Sequence, residues 1–248
     1  AVFAEPGGRL SLDLSAAQLE APDALQQVIA HRVARLSASA GRVLRLAAVA
    51  GPTCSFVLLE QVLGDESGVL DALEEAVAAG LLVEAEHGHY AFAHALVRET
   101  IYRQLGAARR MRLHRQLGEA LEALGDGEAH VEALAHHFAQ SAADGQGVRA
   151  ADYALVAGRR AAARLGYDEA AAYYERGLEA LALSGRPQDE RRCELLLALG
   201  EARWGAGEID KARRTYRHAA RLAEQLGDAT ALARAALGYC GPHRGEVT

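Results

Sequence analysis

The sequence predicts a mainly α-helical fold interrupted by one small β-hairpin, and three observations predict it. Apolar residues recur at helical spacing along most of the chain. One stretch, 81–92, breaks that spacing with two short extended apolar runs around His87-Gly88. A period of 42 residues then governs the C-terminal part. The composition agrees, since 50% of residues are hydrophobic, only 5% are aromatic and there are just 5 prolines, which favours helix and ordinary buried cores.

Residues 1–22 mix Pro6, Gly7, Gly8 and Pro22 with short apolar runs, as expected for a linker and the tail of a preceding domain. The chain starts at Ala1-Val2-Phe3 and its one methionine is Met111, so it reads as a piece of a longer polypeptide. From Asp23, the expected N-cap, Leu25, Val28, Ile29, Val33 and Leu36 share a helix face. Ser37 or Ser39 caps the next helix, whose Val43, Leu44, Leu46, Ala47 and Ala50 lead to a Gly51-Pro52 stop. Helices over 56–63 and 69–79 follow, the second ended by Gly80 in a left-handed C-cap. The extended runs Leu81-Leu82-Val83-Glu84-Ala85 and His89-Tyr90-Ala91-Phe92 then make the hairpin. The last three of these helices and the hairpin, in this order, describe a winged helix, whose domain is placed at 23–105.

Connecting helices are expected over 94–105, 107–124 and 129–142, the second with a stripe of Leu113, Leu117, Leu121 and Leu124, so that 106–147 links two units. Beyond it, Gly158 superposes on Gly200, Asp168 on Asp210, Ala170 on Ala212, Tyr174 on Tyr216 and Gly177 on Ala219. This pattern of small residues and one aromatic resembles the tetratricopeptide repeat, which implies stacked helix pairs over 148–248. The period exceeds the usual 34 or so, which puts Ser184-Gly185-Arg186-Pro187 in a longer connection or lengthens the helices. A third unit starts near Ala229, with Leu237-Gly238 as its small-residue step, and is truncated.

Charge and motifs exclude several functions. The formal net charge of -6 speaks against a nucleic-acid-coating protein. Between Arg45 and Arg98 there is no Lys or Arg, while Glu60, Asp65, Glu66, Asp71, Glu74, Glu75, Glu84 and Glu86 fall in that interval. The third helix of the winged helix therefore carries acids that phosphate repels, and direct DNA binding by it is not expected. Arg98, Arg103, Arg109, Arg110, Arg112 and Arg115 reverse the sign, to be read as a solvated face or as partners for the acidic segment. A sharper reading makes them a contact for nucleotide phosphates or another domain.

No phosphate-binding loop, dinucleotide fingerprint or nucleophile elbow is present, so the chain is not expected to be an enzyme or to carry a cofactor of its own. Cys54, Cys193 and Cys240 are too dispersed for a disulfide framework or a thiolate zinc site, which fits a reducing cytoplasm. His87 and His89 flank a tight turn, and His130, His136 and His137 lack a metalloprotease arrangement or a carboxylate shell, so no metal site is expected. No apolar run approaches a membrane span and no signal peptide is visible.

Three segments carry a wider resemblance: Pro22-Asp23 through Ile29-Ala30-His31-Arg32-Val33-Ala34-Arg35-Leu36-Ser37, then 43–51, and above all Tyr90-Ala91-Phe92-Ala93-His94-Ala95-Leu96-Val97-Arg98-Glu99. They resemble the region after the ATPase core of bacterial STAND proteins, the signal-transduction ATPases with numerous domains, and in particular large LuxR-type transcriptional regulators and related predicted ATPases. The likeness continues through an Arg-x-x-Leu-His helix at 110–123 and covers nearly the whole chain. It implies a winged helix that packs on an upstream ATPase domain binding ATP or ADP, and repeats that receive a protein or small-molecule effector. It also implies that His94 corresponds to a nucleotide-contacting histidine, although Ala93 and Ala95 stand where the related eukaryotic branch has methionine and aspartate. His94 has a second reading, a helix-start histidine hydrogen-bonded to backbone. The competing function is a stand-alone adaptor binding peptides or proteins on its repeats.

Overall fold

The computed structural model describes residues 23–125, 129–185 and 187–241, with side chains from Gln26 onward. The expected linker at 1–22, the Asp23 cap, the Leu25 side chain, the Asp126-Gly127 break and Arg186 lie outside the described residues or side chains. Among the described residues the fold is mainly α, with twelve α-helices and one three-stranded sheet.

Helix α1 (Asp23–Ala34) buries Ile29 but leaves Val28 55% exposed, because it packs mainly on α5 (Ala95–Gln104) and its other flank is open. Helix α2 (Ala38–Ala50) is capped by Ser37, whose Oγ accepts the Ala40 amide at 3.1 Å. The same serine donates its N–H and its hydroxyl to the Glu75 carboxylate at 2.7 and 2.5 Å, fastening the start of α2 to α4 (Glu66–Ala78). Those two bonds hold the Glu75 carboxyl below its ordinary pKa. Helix α4 begins before the expected Val69, because the Asp65 side chain accepts the Gly68 amide at 3.1 Å.

The expected hairpin forms from β2 (Leu82–Glu84) and β3 (His89–Phe92), antiparallel with Val83 opposite Ala91. Its turn places His87 at φ 59° and Gly88 at φ 70°, two consecutive left-handed residues whose twist suits a hairpin. A further strand, β1 (Thr53–Ser55), pairs with the other edge of β3, with Cys54 opposite Tyr90, and gives the order β1-β3-β2. Three residues wedged between Pro52 and α3 (Phe56–Leu63) are too few to show alternation in sequence.

Helix α6 (Ala107–Ala123) buries His114, Leu117 and Leu121. The apolar stripe is thus rotated from the expected one, with Leu124 37% exposed. Helix α7 (Val131–Gln140) ends sooner than expected, since the Ser141 hydroxyl donates back to the carbonyl of His137 at 2.9 Å and a 3-10 turn, Ala142–Asp144, follows. One buried apolar cluster runs without a break from Ile29 in α1 to Phe138 in α7 and on to Ala150 and Ala180.

The C-terminal helices are α8 (Gly147–Ala163), α9 (Tyr167–Ala182), α10 (Asp189–Gly205), α11 (Ile209–Leu226) and α12 (Ala229–Cys240). Helices α8 and α10 start 42 residues apart, as do α9 and α11. Consecutive helices pack together, and α8 also meets α10 as α10 meets α12. The period has a packing cause. The Tyr174 ring lies on Gly158 and the Tyr216 ring on Gly200, where an added Cβ would stand 2.7 Å from Tyr216 Cε1. Both tyrosines are 3% exposed.

Glycine inside a helix is ordinarily worse than alanine by about 0.5–1 kcal/mol. Here the sign should reverse, because a Cβ on Gly158 would press into the Tyr174 ring. Gly158→Ala is expected to lose about 1–2 kcal/mol, overpacking outweighing helix propensity. Urea unfolding checks this, and a rise in stability would contradict the assigned contact. In a Tyr174→Ala background the loss should vanish, since the ring that opposes the methyl group is gone.

Candidate functional site

The Phe92-Ala93-His94-Ala95-Leu96-Val97-Arg98-Glu99 segment bridges β3 and α5. The Ala93 amide donates to the Leu81 carbonyl at 3.1 Å, which ends the sheet and turns the chain into the helix. His94 takes the N-cap position with extended backbone (φ −144°, ψ 139°), and its carbonyl accepts the Val97 amide at 2.9 Å. Its imidazole makes no capping hydrogen bond and is exposed. The side chain thus departs from the backbone-bonded reading. Val97 and Ile101 anchor the other face of α5 in the core. Arg98 donates through Nε to the Ala48 carbonyl at 3.0 Å, in the last turn of α2, where partial negative charge accumulates.

One helix further on, three histidines meet. His114 of α6 and His137 of α7 are 1% and 3% exposed, and their Nδ1 atoms lie 2.9 Å apart. That hydrogen bond requires one ring to donate and the other to accept. His114 Nε2 lies 3.1 Å from the Tyr102 hydroxyl at the end of α5. His136 is exposed, yet its ring centroid is 5.3 Å from both other rings. One nitrogen from each of the three falls within 4.8 Å of the others.

Burial drives the His114 imidazole down to about 3, with His136, Arg110 and Arg98 adding repulsion. Burial likewise holds His137 at about 3, with His114 and His136 adding to it. His136, exposed but with one side of its ring against the other two imidazoles, moves the same way through desolvation on that side and then Arg176 and Arg98. All three are therefore neutral near pH 7, with lone pairs available. His136 and His137 are adjacent in sequence, whereas His114 stands on another helix and no local pattern joins it to them. The signal that could have found it is its spacing of three and seven residues from Leu117 and Leu121, which puts an imidazole on the buried face. The His130 backbone opens α7 without a side-chain cap, and His89 Nδ1 lies 3.2 Å from the His87 carbonyl in the hairpin turn.

Among the described residues the arginine run does not pair with the acidic segment as one reading expected. Among the described residues, Arg115 pairs with Asp144 at 2.8 Å, and the Arg110 guanidinium lies 5.4 Å from the Tyr102 ring centroid. Arg109 and Arg112 instead share a cleft of about 440 Å³ with Arg42 and Arg45 of α2. Burial, followed by repulsion from Arg109 and Arg42, lowers the Arg45 pKa. On α4, Asp71 and Glu74 are exposed while Glu75 is engaged by Ser37. Glu84 and Glu86 are exposed beside the hairpin turn.

The repeats enclose a groove of about 680 Å³ between α9, α10 and α11. Leu178, Leu196 and Leu199 form part of its floor, and Glu179, Arg192 and Arg214 add charge. Arg203 is held on one side by Glu175 at 2.6 Å and by the Thr215 hydroxyl at 2.5 Å. Sequence spacing contained no sign of this groove, since its lining alternates between helices. The buried Cys54 thiol is raised to about 12 by desolvation, which removes it as a nucleophile.

No family model matches the chain, and no curated protein matches it. Among the described residues, no helix is long and apolar enough to cross a membrane.

Proposed function

We propose that the chain is a non-catalytic regulatory and sensor segment of an ATP-dependent signal-transduction or transcriptional regulator. In this reading 23–105 is a winged helix that packs on an upstream ATPase domain, and the helices from 148 onward are tetratricopeptide-like pairs that receive an effector. The observation that carries it is the glycine-on-tyrosine contact repeated at Gly158–Tyr174 and Gly200–Tyr216. Stacked helix pairs built on such a repeat make extended binding surfaces, and the charged groove between α9, α10 and α11 suits an effector with both polar and apolar groups.

Two features of the N-terminal part support the coupling role. His94 stands exposed at the start of α5, just past the end of the central strand β3, so a nucleotide bound on a neighbouring domain could accept a hydrogen bond from it. Arg98, one turn later, links that helix to the end of α2, so displacement at His94 is passed into the core. The exposed acids Asp71, Glu74, Glu84 and Glu86 oppose phosphate, which supports the reading that this winged helix does not enter a DNA groove.

In the full-length regulator, His94→Ala should speed ADP release roughly tenfold, the size of one lost hydrogen bond to a charged group. It should also raise basal output. Unchanged ADP release together with unchanged output would remove His94 from the switch.

A further inference from the structure

We propose that His114, His136 and His137 form a three-histidine site for a divalent transition-metal ion, zinc above all, with its fourth position open toward solvent. Three ligand nitrogens from two helices already lie within 4.8 Å of one another. Zinc bonded to nitrogen at about 2.0–2.1 Å in a tetrahedron holds its ligand nitrogens roughly 3.3 Å apart. The two Nδ1 atoms of His114 and His137 stand at 2.9 Å; once the proton between them moves to His137 Nε2, both present lone pairs, and the ion needs them to open by only about 0.4 Å.

The surroundings suit the ion in three ways. His114 uses Nδ1 toward the site, which leaves its Nε2–H to donate to the Tyr102 hydroxyl oxygen at 3.1 Å, an outer contact that fixes ring and tautomer. The rings of His114 and His137 are buried, so their orientation is set by the packing of α6 against α7. His136 is exposed, so the side of the site not filled by buried imidazoles faces water, and a water or small anion completes the shell. Arg98, Arg110 and Arg176 face the cluster and oppose a dication. Their charge favours an anionic fourth ligand, hydroxide or carboxylate, over water. Imidazole nitrogens without thiolate or carboxylate select zinc or copper over magnesium or calcium.

The test uses the whole 248-residue chain, stripped with a chelator and titrated with zinc and, separately, with cobalt(II) at neutral pH. A single cobalt ion should produce the intense visible bands of a four-coordinate nitrogen site, and zinc should displace it and raise the melting temperature. His136→Ala, at an exposed position, should melt as the metal-free parent does yet bind at least about a hundredfold more weakly, beyond the usual effect of an outer-shell change. Tyr102→Phe should weaken binding roughly tenfold while keeping the cobalt spectrum. The proposal is overturned if the parent gives no such bands and no zinc-dependent melting shift. It is equally overturned if His136→Ala keeps the parent's affinity, which would move the ion to another site such as His87 and His89.

Discussion

Chelator-treated protein is expected to lose about 4 kcal/mol of stability between pH 7.5 and pH 5.0, about 2 kcal/mol for each of His114 and His137. Both imidazoles are pushed from the usual 6.5 to about 3 in the folded chain, chiefly by burial. The unfolded chain therefore binds more protons at every pH between those values. The contribution is complete above the unfolded pKa near 6.5, and stability falls as the pH drops below it, by about 1.4 kcal/mol per unit and per histidine. Groups facing the pair push the same way: Arg98 of α5, Arg110 of α6 and His136 of α7 all oppose a positive charge on these rings. Urea unfolding at a series of pH values measures the slope. His137→Asn, which keeps a polar nitrogen near Nδ1 but cannot charge, should halve it. An unchanged midpoint from pH 7.5 to 5.0, or a slope indifferent to His137→Asn, would show that these rings are not buried as neutral groups.

Phe138→Ala should lose about 3–5 kcal/mol, the range for removing a fully buried phenyl ring. Phe138 of α7 is 0% exposed and touches two further helices, α6 and α8. It covers Gly118 of α6, where an added Cβ would stand 2.8 Å from its Cε1. It stacks on Tyr153 of α8 at 5.6 Å with the planes 14° apart, and the Arg149 guanidinium sits 5.3 Å from its centroid. Tyr153 in turn donates its hydroxyl to Glu122 of α6 at 2.7 Å. No small shift closes a gap shared by three elements, so the cavity remains and the melting temperature should drop by about 10 °C. Phe138→Leu, which refills most of the volume, should lose less than about 1.5 kcal/mol. Near-equal losses for the two variants would mean that the site collapses and that this ring is not the joint between α6, α7 and α8.

Much of the helical order was legible because local signals agree with the final packing. Ser37 caps α2 as its position before an apolar run suggests, α3 spans the expected 56–63, and Gly80 takes the left-handed backbone expected after α4. The 42-residue period was legible for a stronger reason. A tyrosine ring on a helix backbone tolerates only glycine beneath it, so the contact writes itself into sequence as a matched pair of positions. Strand β1 was not legible, since three residues cannot display a period, nor was the rotation of the α6 stripe toward His114, because leucine spacing alone allows both faces.

The sequence by itself therefore determined a mainly helical chain, the hairpin, the repeat and the candidate His94 at a helix start. Those features depend on interactions between residues close in the chain or recurring at a fixed interval. Tertiary structure alone decided that His114 joins His136 and His137, that Arg42 and Arg45 face Arg109 and Arg112, and that a groove opens between α9, α10 and α11. Each of these brings together side chains from separate helices. Their distances depend on how the helices are rotated and packed, which no spacing along a single helix encodes.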